Sequence, residues 1–154
     1  LYKLYYNMKE SFNFLINFIV MTLVGILFNP MNILAYRFAD LYLSKTLVYG
    51  GFLMASNMIW SHQIIHYLTM GHFNQNIFYF GIILSFIIAK FLLRNQFYID
   101  DNNWLKRMIS HHSTALTTSK KIIKQTKNKK ISKLATEIVE TQKKELKLMK
   151  SLIV

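Results

Sequence analysis

The sequence predicts an all-α membrane protein: about three helices that cross a bilayer, followed by a two-helix hairpin. Three observations lead there. Three long apolar runs fill much of residues 1–97, the charge gathers in residues 98–154, and that basic region repeats its apolar residues at a helical period. Of 154 residues, 53% are hydrophobic and only 17% are charged, against roughly 25% charged in soluble domains. Lys and Arg number 19 against 7 acids, a net charge of +12. From Asp100 onward there are 13 basic residues and 5 acids. Burying three such apolar runs in one soluble core is hard for so short a chain. The lack of Cys excludes disulfides, thiolate zinc sites and cysteine nucleophiles. One Pro and five Gly exclude a collagen-like or flexible low-complexity chain. A first residue of Leu1 rather than Met is compatible with a processed start.

The first expected span is 12–28 (FNFLINFIVMTLVGILF), at the short end of the spanning range and weakened by Asn13 and Asn17. Asn29-Pro30 then breaks the helix, because Pro clashes with the preceding turn. Residues 31–46 read as an interfacial or re-entrant helix. The second expected span lies within 47–70. The third is 77–93, with Lys90 near its end, where its stem can reach the interface. Tyr5, Tyr6, Tyr36, Tyr42, Trp60 and Tyr67 cluster near span ends, as in an interfacial aromatic belt. Three crossings place Lys3 and Lys9 on one side and Arg37, Lys45, Arg94 and the basic region on the other. The positive-inside rule then puts the C-terminal region in the cytoplasm.

That region reads as two helices. Asp100-Asp101-Asn102 supplies capping oxygens and negative charge for a helix starting near Asn103. Leu105, Met108, Ile109, His112, Ala115 and Leu116 follow at a helical period. A polar break at 126–130 precedes a second helix over 131–152, with Leu134, Ile138, Gln142, Glu145, Met149 and Leu152 on one stripe. A tight turn between two such helices makes an αα-hairpin. One hairpin hides its own stripe poorly, so self-association or packing on the spans is expected to complete a bundle.

Three constellations could carry chemistry. Met108, His111 and His112 share one side of the first hairpin helix. Imidazole nitrogen with thioether sulfur suits copper above other metals. Gln142, Glu145 and Met149 recur at steps of three and four on the second helix, and an antiparallel hairpin turns them towards the first cluster. Glu145 stands on an apolar stripe, where a lone carboxylate is costly; a hydrogen-bonded Glu–His pair is the simpler alternative to a metal site. Met58, His62 and His66 run at steps of four along the second span, as a weaker candidate. A Gly-rich phosphate loop, a nucleophile elbow and a Glu-x-x-His di-iron motif are all absent. Acids are too few for a Mg or Ca cage, and no motif supports an enzyme.

The stretch from Trp104 to Ala115 (WLKRMISHHSTA), with that from Leu134 to Met149 (LATEIVETQKKELKLM), resembles the family called domain of unknown function 305. Met108, His111, His112, Gln142, Glu145 and Met149 match its pattern position by position. Ser110 stands where the family has Pro, and Thr117 and Thr118 replace an acid and a Met that many members carry. The resemblance, over about residues 100–152, implies a ferritin-like fold and copper binding through Met and His. It also fits a branch with several spans before this domain. The expected function is therefore copper handling or tolerance. His111 and His112 are the expected nitrogen ligands, Met108 and Met149 the thioethers, and Glu145 and Gln142 the orienting groups. The rival is an anchored structural or interaction protein whose basic region binds anionic lipid or partner proteins, at about 1 kcal/mol per Lys or Arg near an anionic surface. Nucleic acid is a poor partner, since Trp104 is the one aromatic beyond Asp100.

Overall fold

The computed structural model describes residues 2–153, with side chains for residues 12 and 14–153. The charges of Lys3 and Lys9 and the rings of Tyr5 and Tyr6, used above for orientation, lie outside the described side chains. The elements are α1 (Tyr2–Leu27), α2 (Pro30–Ile33), a 3₁₀ turn (Phe38–Asp40), α3 (Lys45–Met70), α4 (Gln75–Ile87) with a π-helical continuation (Ile88–Arg94), α5 (Asp101–Gln125) and α6 (Lys129–Leu152). No strand occurs among the described residues. Two compact units result: Leu1–Leu27 with Thr46–Phe97, and Phe28–Lys45 with Tyr98–Val154.

In the first unit, two helical stretches are long and apolar enough to cross a membrane: Phe14–Ile33 and Gln75–Arg94, of 20 residues each. They correspond to the first and third expected spans. The second expected span, 47–70, does not qualify, which corrects the count from three to two by composition. It is one continuous helix, but Ser56, Asn57, Ser61, His62, Gln63 and His66 dilute its apolar content. Only 11% and 17% of the two qualifying windows is buried. The core helix of a soluble domain buries its apolar stripe; here Leu15, Ile19, Leu23, Ile83 and Phe86 all face outward.

Small residues bring these helices close. A Cβ on Gly51 would lie 2.8 Å from the Thr22 carbonyl oxygen, and one on Gly81 would lie 2.9 Å from the Trp60 nitrogen. The Ser85 and Ser56 hydroxyls meet at 2.9 Å in the buried α3–α4 seam. Small residues and interhelical hydroxyl bonds are the packing vocabulary of helices in lipid, where apolar contact alone gives little drive.

In the second unit, the cap read from sequence at Asp100 is in place, and Asn128, read only as part of a polar break, caps α6. Asp100 Oδ1 accepts the Asn103 N–H at 2.7 Å, and Asn128 Oδ1 accepts the Lys130 N–H at 2.9 Å. Each cap satisfies part of the set of orphan donors at its helix start. These bonds from Asn103, backbone first and side chain second, hold the Asp100 carboxyl down at about 2. The core is Leu105, Ile109 and Met149, with Tyr42, Met108 and Ile153 packed on it.

The linking segment 28–45 differs from the expected interfacial helix. Only one helical turn, capped by Asn29, and one 3₁₀ turn form there. The rest lies along the hairpin as a strap. Tyr36 N–H donates to Ser113 Oγ at 2.7 Å, Thr114 Oγ1 donates to the Met31 carbonyl at 3.1 Å, and Lys45 N–H donates to Asn103 Oδ1 at 2.9 Å. The polar side chains of α5 thus satisfy backbone groups of an irregular segment.

Candidate functional site

α5 and α6 run antiparallel and bring the two polar clusters of the hairpin together. His112 is buried; its Nδ1–H donates to the Met108 carbonyl at 2.8 Å, one helical turn back. Its Nε2 meets Glu145 Oε2 at 2.9 Å. A carbonyl can only accept, and an ionised carboxylate can only accept, so a proton must lie between Nε2 and Oε2. Either the ring is a double donor or the acid carries the proton; in both cases the Nε2 lone pair is engaged. Gln142 Nε2 donates to the same Oε2 at 3.4 Å, while its Oε1 is buried and meets no partner. Met149 is buried in the core and Met108 packs against it. His111 is exposed, its ring 6.0 Å from that of His112.

Of the six expected residues, His112, Glu145 and Gln142 are linked by hydrogen bonds, Met108 and Met149 belong to the apolar core, and His111 lies exposed beside the His112 ring. As a copper site the set does not fit with His112 as a ligand, because both ring nitrogens are committed within the protein. Met108, Met149, His111 and the orphaned Gln142 oxygen remain as donors. Among the described residues, no group of three or more His, Asp or Glu side chains converges as a ready metal site.

A second polar network in this unit had no counterpart in the sequence reasoning. Asp40 is only 1% exposed. Its Oδ2 accepts from Ser113 Oγ at 2.7 Å, its Oδ1 pairs with Lys150 of α6, and its carbonyl accepts from Ser110 Oγ at 3.1 Å. One faint sequence signal existed: Asp40 is one of two acids in the first 99 residues. Nearby, Lys120 sits over the Tyr36 ring, 3.9 Å from its centroid, and bonds its hydroxyl. That hydrogen bond, with the lysine charge, lowers the Tyr36 hydroxyl from its usual range.

Residues 95–153 match the domain of unknown function 305. An uncharacterized protein of Acanthamoeba polyphaga mimivirus is 34% identical over 125 residues, which span 81% of this chain and 81% of that protein. The chain belongs to the domain of unknown function 305 family. No solved structure matches it. Within the family match, Ser110 has a use that the Pro of the family pattern lacks: its hydroxyl reaches the strap at Asp40.

The weaker candidates lie in the first unit. His62 and His66 stack with ring centroids 5.8 Å apart. Met58 and His62 line a cavity of about 300 Å³ with Met21 and Gln63. His72, which sequence reasoning passed over, sits edge-on to His66 at 5.7 Å.

Proposed function

We propose that the chain is an integral membrane protein whose hairpin, clasped by the 28–45 strap, is a cationic interaction module on the cytoplasmic face. The observation that carries this reading is the outward-facing apolar surface of two helices that are each less than one-fifth buried. In water such a surface is costly; in hydrocarbon it is matched. The strap adds a topological argument. Asp40 and Tyr36 bond to α5 and α6, so strap and hairpin share one side of the membrane. A single crossing by α4 between them would separate them. α3 therefore crosses as well, despite its polar residues, and the crossings number three. Ser56 is hidden against Ser85, and His62, Gln63 and His66 fall near the end of the helix, where the interface lies. The side of the strap and hairpin then carries Arg37, Lys45, Arg94 and the 13 basic residues from Asp100 onward, which favours the cytoplasm.

Anionic lipid headgroups fit the exposed lysines of α5 and α6 best. The test uses full-length protein in phosphatidylcholine nanodiscs and added phosphatidylserine vesicles. Binding that weakens steeply with salt is expected; binding that ignores salt, or none, would sink the reading. Because the natural chain has no Cys, single cysteines at Lys124 and Thr69 test topology directly. They should label from opposite sides of sealed vesicles, and same-side labelling overturns the three crossings.

Copper binding is a second reading, favoured by the buried, unpartnered Gln142 oxygen and by the two thioethers, Met108 and Met149, of the same hairpin. His111 would supply nitrogen, and Glu145 would have to release His112 for that ring to join. A Cu(I) competition titration of the full chain beside His111→Ala/His112→Ala checks it. Binding that is absent, or equal in both proteins, removes copper from this site.

A further inference from the structure

The strap covers one broad face of the hairpin and leaves the other open. Asp40 meets Ser110 and Ser113 of α5 and Lys150 of α6. Residues 104, 108, 111, 115, 118 and 122 of α5 lie roughly 150° round the helix from those two serines. Residues 131, 134, 138, 141, 145, 148 and 152 of α6 lie roughly 150° round from Lys150. Both rows therefore share the face opposite the strap. Six large apolar side chains stand on it, 39% to 60% exposed: Trp104, Ile122, Ile131, Leu134, Leu148 and Leu152.

The pattern of α6 is that of a helix with two neighbours. Its buried residues, Ala135, Val139 and Met149, form one row. The row from Ile131 to Leu152 runs at alternating steps of three and four, and only Thr141 and Glu145 in it are polar. That is a seven-residue repeat sustained over three heptads, the mark of packing against another helix. The two rows lie about a quarter-turn apart round α6. In a four-helix bundle each helix meets its two neighbours at such an angle. α5 is one neighbour. The exposure of Leu134 and Leu148 shows that the described residues of the chain do not supply the other.

Charge picks the occupant. No Lys or Arg falls in either row, so the cations offered to lipid above lie elsewhere on the hairpin. An apolar face lying in a lipid surface is edged by cations; this row contains Glu145 and is edged by Glu137 as well as Lys144. Glu137 and Lys144 hold equivalent places one heptad apart, with opposite signs. A second α6 laid antiparallel, with Ile138 against the copy's Thr141, brings Ile131 to the copy's Leu148 and Leu134 to the copy's Glu145. In that register Glu137 of each chain lies beside Lys144 of the other, twice by symmetry. A parallel pair in register sets Glu137 beside Gln142 and Lys144 beside Met149, with no charges paired. The 4.0 Å contact of Glu137 with Lys133 is exposed and yields readily. Two helices side by side are roughly 20 Å wide and α6, of 24 residues, is about 36 Å long, so the face covers roughly 700 Å² per copy, within the range of a specific dimer.

We propose that this face joins two copies of the chain, α6 antiparallel to α6, into a four-helix bundle. The proposal does not rest on lipid binding, and its test contains no anionic lipid. The full-length chain is sedimented to equilibrium in density-matched neutral detergent over a range of protein concentrations. A reversible dimer is expected. Leu134→Glu/Leu148→Glu should weaken it at least about tenfold, the scale of losing buried anchors. Both leucines are exposed in the single chain, so an unchanged far-UV circular dichroism spectrum is expected. Glu137→Lys and Lys144→Glu should each weaken the dimer about three- to tenfold. Glu137→Lys/Lys144→Glu together should restore it, as only charges opposed across the seam would do. A monomer at every concentration overturns the proposal. So does a dimer that Leu134→Glu/Leu148→Glu leaves intact, which would place its seam elsewhere. Single reversals without effect, or a double reversal that does not recover, overturn the antiparallel register.

Discussion

The two units use serine for opposite ends. In the first unit, Ser56 and Ser85 lie in the seam between α3 and α4 and bond each other. In the hairpin unit, Ser110 and Ser113 leave the helix seam alone and reach out to the strap, to the Asp40 carbonyl and carboxylate. The rest of the composition inverts too. The hairpin unit hides Leu105, Ile109 and Met149 and exposes lysines. The first unit buries Gly51, Gly81, Ser56 and Ser85, and exposes Leu, Ile and Phe. The difference teaches that burial reads the solvent. A surface is stable when its outer residues match what lies beyond them, and the lipid proposed above would match the outer residues of the first unit.

Substitutions can break this contrast, and the largest effect is expected where the hairpin unit hides charge. Asp40→Ala strands Lys150, although that lysine keeps part of its water. A loss of about 3 kcal/mol is expected, the low end for breaking a buried pair. Chemical unfolding of the full chain would measure it, and hydrogen exchange at the Tyr36 amide should rise with it. Asp40→Ala with unchanged stability and unchanged protection would show that the strap is held by something else.

Ile109 is fully buried. Ile109→Ala should cost about 2–4 kcal/mol of hairpin stability, with the first unit untouched. In the first unit the corresponding fault is excess rather than absence. Gly51→Leu forces a side chain into the Thr22 carbonyl and Ile26, at about 1–3 kcal/mol, read as a lower melting point in detergent. Ser85→Ala should cost only about 0.6 kcal/mol, the usual scale for an interhelical hydroxyl bond in a membrane. A loss several times larger would make the Ser56–Ser85 pair a keystone rather than one contact among many.

The smallest effect is a pH dependence. Asp100 is held at about 2 in the folded chain against 3.8 for a free carboxyl. A depressed folded value stabilises above the unfolded value, so its contribution is whole above pH about 4 and fades as pH falls towards 2. Asp100→Asn should flatten that part of the hairpin's pH–stability curve relative to the parent. Curves that superimpose between pH 4 and 2 would mean the cap bonds persist in the unfolded chain.

Local features were legible in the sequence, and partnerships across the chain were not. Asp100 announces a helix start because a cap needs only its own next three residues. The facing of His112 and Glu145 followed from two helical periods and one turn. The strap was invisible because its bonds join residues with no periodic relation, such as Tyr36 to Ser113 and Asp40 to Lys150. Asp40 in particular reads as an ordinary loop acid until its burial is known. His72 was missed for a smaller reason: it falls beyond the helix end, where a step-of-four pattern stops and the backbone reverses at Gly71. The composition of α3 argued both ways, with apolar residues early and polar ones late, and only the strap's bonds weigh in favour of a crossing.

The strap precedes two helices of the first unit in the chain, yet its partner Lys150 lies 110 residues later. At ribosomal rates of roughly 5–20 residues per second, Asp40 waits on the order of 5–20 seconds for that partner to be synthesised. Ser110, Ser113 and Thr114 of α5 emerge earlier and can already meet the strap, so what waits for α6 is the ion pair alone. A chain cut short before α6 would therefore keep the strap's bonds to α5 and lack the cation that faces a buried carboxylate.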